Sequence, residues 1–161
     1  MKKGRILNSE LNWLIGTVAH GDIVFISDAG MAIPENTKRI DLAIEKDLPD
    51  IPTILKLINY ELNIEKITVA EEQKIYNAPL HNEILNIYRD IPVEIELLPY
   101  SRIIAEYLPK ARAVVRTGAF SPWGSVVIFP GIDAAQWYEK EGLIVPEMYK
   151  KRVEFGRLKK D

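Results

Sequence analysis

A histidine and an aspartate bracket the part of this chain richest in groups that move or hold protons. The segment runs His20-Gly21-Asp22, then Ile23-Val24-Phe25-Ile26, then Ser27-Asp28-Ala29-Gly30, and reaches Arg39-Ile40-Asp41 farther on. Histidine both donates and accepts protons near neutral pH, which suits general acid–base work. Gly21 and Asp22 beside it allow a tight, exposed turn. The plainer reading of His20 is a polar turn residue bonded to the backbone. Asp28 is likewise either a turn former or a carboxylate that accepts hydrogen bonds from hydroxyl groups. The apolar run between them, bounded by turn signals, reads as a buried strand with layers on both faces. Such a strand extends ~17 Å, so His20 and Asp28 stand at opposite ends of it. They can share a site only if the chain turns back after Asp28 or a second subunit supplies one of them.

Later candidates are less specific. Arg116-Thr117-Gly118 at a strand end is either an anion contact or a turn, and the turn is favoured. Ser121-Pro122-Trp123-Gly124-Ser125 places a tryptophan in a loop. Core packing is one role for Trp123. The other is an aromatic platform for the apolar face of a sugar ring, with Ser125 or backbone groups reading hydroxyls. The glycine-rich phosphate loops G-x-x-x-x-G-K-[ST] and G-x-G-x-x-G are missing, and so is G-x-S-x-G. Nucleotide-driven and serine-hydrolase chemistry are therefore not expected. The sequence contains no cysteine and only two histidines, His20 and His81. A disulfide framework, a thiolate site and a histidine-rich zinc site are thus set aside.

The 161 residues suffice for one domain with a real core, and 47% of them are apolar. The net charge of −2 offers no basic excess for nucleic acid or acidic membranes. No apolar run approaches the ~20 residues that span a bilayer. At the N-terminus, Asn8, Ser9, Glu10 and Asn12 interrupt what would be the apolar centre of an export signal. With the absence of cysteine, this points to the cytoplasm.

Elements that would position these groups can be read in order. Leu7, Leu11, Leu14 and Ile15 recur at helical spacing, with Ser9 as a possible cap, giving a helix over about 9–18. The strand at 23–27 follows, and 37–41 is a short strand or ordered loop. A helix starts at Ile51-Pro52-Thr53, with proline in the first turn where a missing N–H costs little. Strands are expected at 64–70, 93–98 and 126–129, a strand and turn at 113–118, and helices from 77 to 88 and from 101 to 108. The segment 71–76 is a loop or short helix. Strands alternating with helices favour an α/β fold: a single three-layer αβα domain with a mainly parallel sheet. From 133 to 161 the chain is charged with scattered aromatics, and reads as a C-terminal extension of one or two helices broken near Pro146. Its basic end (Arg157, Lys159, Lys160) reads as a solvated helix terminus.

An ordered series of short motifs resembles the RbsD/FucU family, the D-ribose pyranases and L-fucose mutarotases, and more closely the pyranase branch. The series comprises Met1-Lys2-Lys3-Gly4, Leu7-Asn8-Ser9, His20-Gly21-Asp22, Asp28-Ala29-Gly30, Ile33-Pro34 and Arg39-Ile40-Asp41-Leu42-Ala43. It continues with Ala70-Glu71-Glu72, Asn77, Pro79-Leu80-His81 and Arg116-Thr117-Gly118. The resemblance covers about 1–132. It implies cofactor-independent interconversion of pyranose and furanose, or anomeric, forms of ribose or a related monosaccharide. It further implies a homo-oligomeric ring, commonly a decamer, with sites near subunit contacts. On this resemblance His20 takes the catalytic acid role and Asp28 a substrate-binding role, with Tyr100, Trp123 and Ser125 at further sugar contacts. Tyr100 stands where the family usually has a histidine, Ile104 where it often has a lysine, and Trp123-Gly124-Ser125 where it has Tyr-x-Asn. A tyrosine still donates a hydrogen bond and a tryptophan still stacks. Two other readings stay open: a non-catalytic sugar-binding or regulatory relative, and a site for a phosphorylated sugar held by Arg102 or Arg116.

Overall fold

A computed structural model describes residues 3–158. Its centre is the apolar run already noted: Val24–Ser27 forms a strand (β1) in which every residue is buried. Around it lie β2 (Arg39–Asp41), β3 (Ile64–Ala70), β4 (Glu94–Leu98), β5 (Ala113–Arg116) and β6 (Val126–Pro130). They form one sheet in the order β2-β5-β1-β6-β3-β4. The pairs β1/β5, β2/β5 and β3/β4 are parallel, whereas β6 runs antiparallel to both β1 and β3. All strands but β6 therefore share a direction, so the sheet is mixed but mainly parallel.

Alternation along the strands feeds two cores. Val24, Ile26, Ile67, Val69, Val115, Val126 and Ile128 face three helices: α1 (Ser9–Thr17), α2 (Ile51–Glu61) and α4 (Ala78–Ile87). Those helices contribute Leu11, Leu14, Ile54, Leu55, Ile58, Leu80 and Ile84. On the other face, Phe25, Ala70, Val114 and Val127 pack against Met31, Ile103 and Leu108. Ile103 belongs to α5 (Tyr100–Glu106), and Leu108 to the 3₁₀ turn Leu108–Lys110. Helices therefore flank the sheet on both sides.

Local chemistry explains most boundaries. The α2 helix starts behind Asp50, whose carboxylate accepts from Thr53 N at 2.8 Å, with Pro52 in the first turn. Asn8, not Ser9, caps α1, accepting from Leu11 N at 2.9 Å. Residues 71–76 form a short helix, α3 (Glu71–Tyr76). Pro109 lies inside the 3₁₀ turn rather than directly ending α5. After β6 come α6 (Ala134–Trp137), a 3₁₀ turn at Glu147–Tyr149, and α7 (Lys150–Leu158). The α7 helix folds back on α6 and buries Val153. Arg157 lies in its last turn, while Lys159 and Lys160 of the basic end lie outside the described residues, as do Met1 and Lys2. Among the described residues no helix is long and apolar enough to cross a membrane.

Candidate functional site

The candidate residues occupy two opposite edges of the sheet. Asp28 follows the C-terminal end of β1, Tyr100 follows β4, and Trp123 and Ser125 precede the antiparallel β6. All four therefore collect at one edge. At the carboxyl ends of parallel strands, diverging loops leave room for a ligand. His20 precedes β1 and so stands at the other edge.

At the first edge, Asp28 is set by its own turn: Oδ1 accepts from Gly30 N at 2.8 Å. A cavity of about 410 Å³ is lined by Asp28, Gly30, Met31, Ala32, Tyr100, Pro122 and Trp123. The Tyr100 and Trp123 rings meet edge-on with centroids 5.3 Å apart. Burial pushes the Tyr100 phenol above its ordinary pKa, the Asp28 carboxylate adds to this, and a Ser125 hydrogen bond opposes it. Tyr100 therefore stays a protonated donor. Ser125 is only 2% exposed, and its hydroxyl lies 3.4 Å from Met31 Sδ. It sits beneath the cavity lining rather than in it.

The short helix α3 holds this edge together. The Glu72 carboxylate accepts from Tyr100 N at 2.9 and 3.2 Å, fixing the start of α5. Gln73, completely buried, donates from Nε2 to Trp123 O at 2.9 Å. Its Oε1 lies 3.3 Å from His81 Nδ1, so that nitrogen must carry the proton. Asn77 Nδ2 donates to Pro122 O at 2.9 Å. These bonds hold Trp123 at a φ of +56°, a left-handed conformation costly for a bulky side chain. Gln73 and Glu72 carry no role in the sequence reading. Their signals there are a polar run, Glu71 to Lys74, directly after an apolar strand, and for Glu72 its place in the Ala70-Glu71-Glu72 motif.

At the other edge, His20 enters β1 through a turn closed by Asp22, which accepts from Ala19 N at 2.8 Å; Gly21 there has a φ of +94°. The imidazole is half exposed, and its Nδ1 lies 3.4 Å from Glu65 Oε2. Glu65 in turn lies 2.7 Å from the Arg152 guanidinium of α7. A cavity of about 530 Å³ beside His20 is walled by Gly131, Ile132 and Asp133 and by Trp137, Tyr138 and Tyr149 from the C-terminal segment. The sequence reading misses Glu65 and Arg152.

The arginines considered for an anion are engaged within the protein. Arg116 forks onto both Asp41 oxygens at 3.1 Å and donates to Ala29 O at 3.0 Å. Arg102 pairs with Glu106 one helical turn away. Among the described residues no group of three or more His, Asp and Glu is placed to hold a metal ion. The geometry supplies a protonated phenol, a carboxylate and aromatic rings at one edge, and a half-exposed imidazole at the other.

The profile of the RbsD / FucU transport protein family matches residues 1–133. The chain is 40% identical over 153 residues to D-ribose pyranase 2 of Rubrobacter xylanophilus, covering 95% of this chain and 98% of that one. Identity is also 40% over 156 residues with D-ribose pyranase 1 of Streptomyces griseus, covering 95% of this chain and 100% of that one. The structure of Bacillus subtilis RbsD complexed with D-ribose superposes with a TM-score of 0.77 at 31% identity, covering 82% of this chain and 98% of that one. With its mixed sheet, its flanking helices and a family match that spans all six strands, the chain belongs to the RbsD/FucU family.

Proposed function

We propose that this protein is a cofactor-independent monosaccharide pyranase or mutarotase acting on ribose or a related sugar, with His20 as its acid–base group. The observation that carries this is the cavity at the Asp28 edge. A carboxylate, a phenol held protonated and a tryptophan edge surround a monosaccharide-sized space. Carboxylates bind sugar hydroxyls and aromatic rings cover the apolar sugar face. The relatives named D-ribose pyranase, and the ribose-bound neighbour, support the same substrate class.

Ring opening needs one proton delivered to the ring oxygen and one removed from the anomeric hydroxyl. The C1–O bond to the ring then breaks and the open-chain aldehyde forms. Reclosure through the C4 hydroxyl gives a furanose, and through the C5 hydroxyl a pyranose. The C–O bond breaks and re-forms with no change of oxidation state and no group transferred elsewhere, so the only help needed is proton transfer, which an imidazole with a water relay supplies. Asp28 and Tyr100 hold hydroxyls, Trp123 covers the ring, and Ser125 supports Tyr100 from below.

One chain keeps His20 and Asp28 on opposite sheet edges. The working site in this reading is therefore shared: the His20 edge of one copy closes over the Asp28 cavity of the next, in a ring of copies, a decamer in the fullest form. Saturation-transfer NMR on ribose, fucose and other monosaccharides tests it. Faster exchange between ring forms with protein, lost in His20→Ala, is the expected result. Sugar binding with no exchange above the spontaneous rate would instead leave a sugar-binding relative. Sedimentation velocity would show the oligomer, and a monomer that exchanges sugar would refute the shared site.

A further inference from the structure

Glu65 is the extra residue of a β-bulge. Ile64 pairs with Pro130 and Lys66 with Phe129, and Glu65 between them has no cross-strand partner. A bulge of this kind re-aims a side chain. Gly131 makes the room for it: a Cβ at that position would lie 1.9 Å from Glu65 Cγ. The carboxylate so placed is only 18% exposed and lies between the His20 imidazole and the Arg152 guanidinium. Its Oε2 is 3.4 Å from His20 Nδ1, and its Oε1 is 2.7 Å from Arg152 Nη1. Glu65 Oε1 is buried and makes no aligned hydrogen bond, so the guanidinium charge is what offsets its loss of water.

Arg152 is itself held in place. Its Nη2 donates to the Glu65 backbone oxygen at 3.0 Å. The helix that carries it is seated on α6 by Gly156, where a Cβ would come within 2.6 Å of the Ala135 Cβ. Arg152 and Gly156 are one turn apart and share a helix face, so the close seating directs the guanidinium at β3.

We propose that Glu65 is the positioning residue of His20, and that the C-terminal helix secures it through Arg152. The proposal rests on reading His20 as the acid–base group. A carboxylate facing Nδ1 selects the neutral tautomer with its proton on Nδ1, which leaves Nε2 unprotonated and pointed away from Glu65, toward a sugar. The same carboxylate steadies the imidazolium that forms when Nε2 takes a proton. Without Arg152 the carboxylate would be buried with no offsetting charge, and it would turn toward water and leave Nδ1.

The test uses the full chain with Glu65→Met, Arg152→Met and Arg152→Lys. Long-range 1H–15N spectra report the His20 tautomer, and saturation transfer reports exchange. In the wild type the neutral ring carries its proton on Nδ1. Glu65→Met should give a mixture of tautomers and lower kcat ~10-fold, less than the ~100-fold or more that loss of the acid–base group costs, with KM little changed. Arg152→Met should move both readouts the same way, and Arg152→Lys should restore part of each. An unchanged tautomer and kcat in folded Glu65→Met overturns the proposal. If that variant does not fold, an unchanged tautomer in Arg152→Met overturns it instead. The tautomer readout needs no substrate. A wild type that exchanges no sugar yet keeps the Nδ1 proton facing Glu65 would refute the pyranase reading and leave the pairing standing.

Discussion

The two edges of the sheet are built on different principles. At the Asp28 edge the chain is fixed by side-chain-to-backbone hydrogen bonds from the short helix α3 and from Asn77 just after it. Glu72 caps the helix that begins at Tyr100, and Gln73 and Asn77 hold the two carbonyls before Gly124. At the His20 edge a carboxylate–guanidinium pair does the fixing: the bulged Glu65 sits between Arg152 of the C-terminal helix and a half-exposed imidazole. The first arrangement gives a cavity of set shape, suited to recognising a hydroxylated ring. The second keeps an imidazole accessible, as the proposed proton transfer requires, while restricting how it points. A binding surface gains from rigidity, whereas a group that is to meet another copy's cavity, as in the proposed shared site, has to stay at the surface.

The largest expected effect breaks the comparison outright. His20→Ala and Asp28→Ala should each lower sugar exchange ~100-fold or more. His20→Ala should leave thermal stability unchanged, because the ring is half exposed. If a site draws one residue from each of two neighbours, mixed oligomers of the two variants regain both in ~one quarter of sites. Exchange measured after co-refolding checks this; no recovery would return both residues to separate roles.

Next in size, Gln73→Leu should destabilise by about 2 kcal/mol, measured by urea denaturation, because it strands the Trp123 carbonyl and the buried His81 N–H. A loss confined to stability, with KM for the sugar unchanged, would show that α3 does not shape the cavity. Tyr100→Phe removes one donor from the same cavity and should raise KM ~5-fold, the worth of about 1 kcal/mol for one hydrogen bond. Titration by saturation transfer reads it, and kcat should hold.

The smallest effect is a pH dependence confined to the rigid edge. Burial, with Lys74 nearby, holds the His81 pKa below that of a free imidazole. The unfolded chain therefore takes up the proton first. The stability His81 contributes is full above pH ~6.5 and is lost as pH falls through that value toward the folded one. Thermal scans between pH 7 and 5.5 should show the melting temperature falling less steeply for His81→Asn, which keeps a donor toward Gln73, than for the wild type. Equal slopes would exclude His81 as the titrating group.

Much of the fold was legible because it is local. A continuous apolar run between turn signals marks β1, Pro52 marks the start of α2, and the turn at Gly21 follows from His-Gly-Asp. The separation of His20 from Asp28 was legible too, because a strand has a fixed rise per residue. Ser125 was less so: a hydroxyl in a loop beside a tryptophan reads as accessible, yet packing against Met31 buries it. The cap of α1 was misplaced by one residue, since Asn8 and Ser9 cap equally well in isolation.

By itself, then, the sequence determined the alternation of strands and helices, the apolar faces that make a three-layer domain, and the residue types able to hold a sugar and move a proton. Tertiary structure alone decided that Trp123 and Ser125 join Asp28 and Tyr100 at one edge, because that depends on β6 entering antiparallel between β1 and β3. It also decided the partners of Trp123 and His20. Gln73 and Trp123 on one side, and Glu65 and Arg152 on the other, lie far apart in sequence. No local periodicity encodes such pairs: they exist only once the sheet has set the separation and direction of its strands.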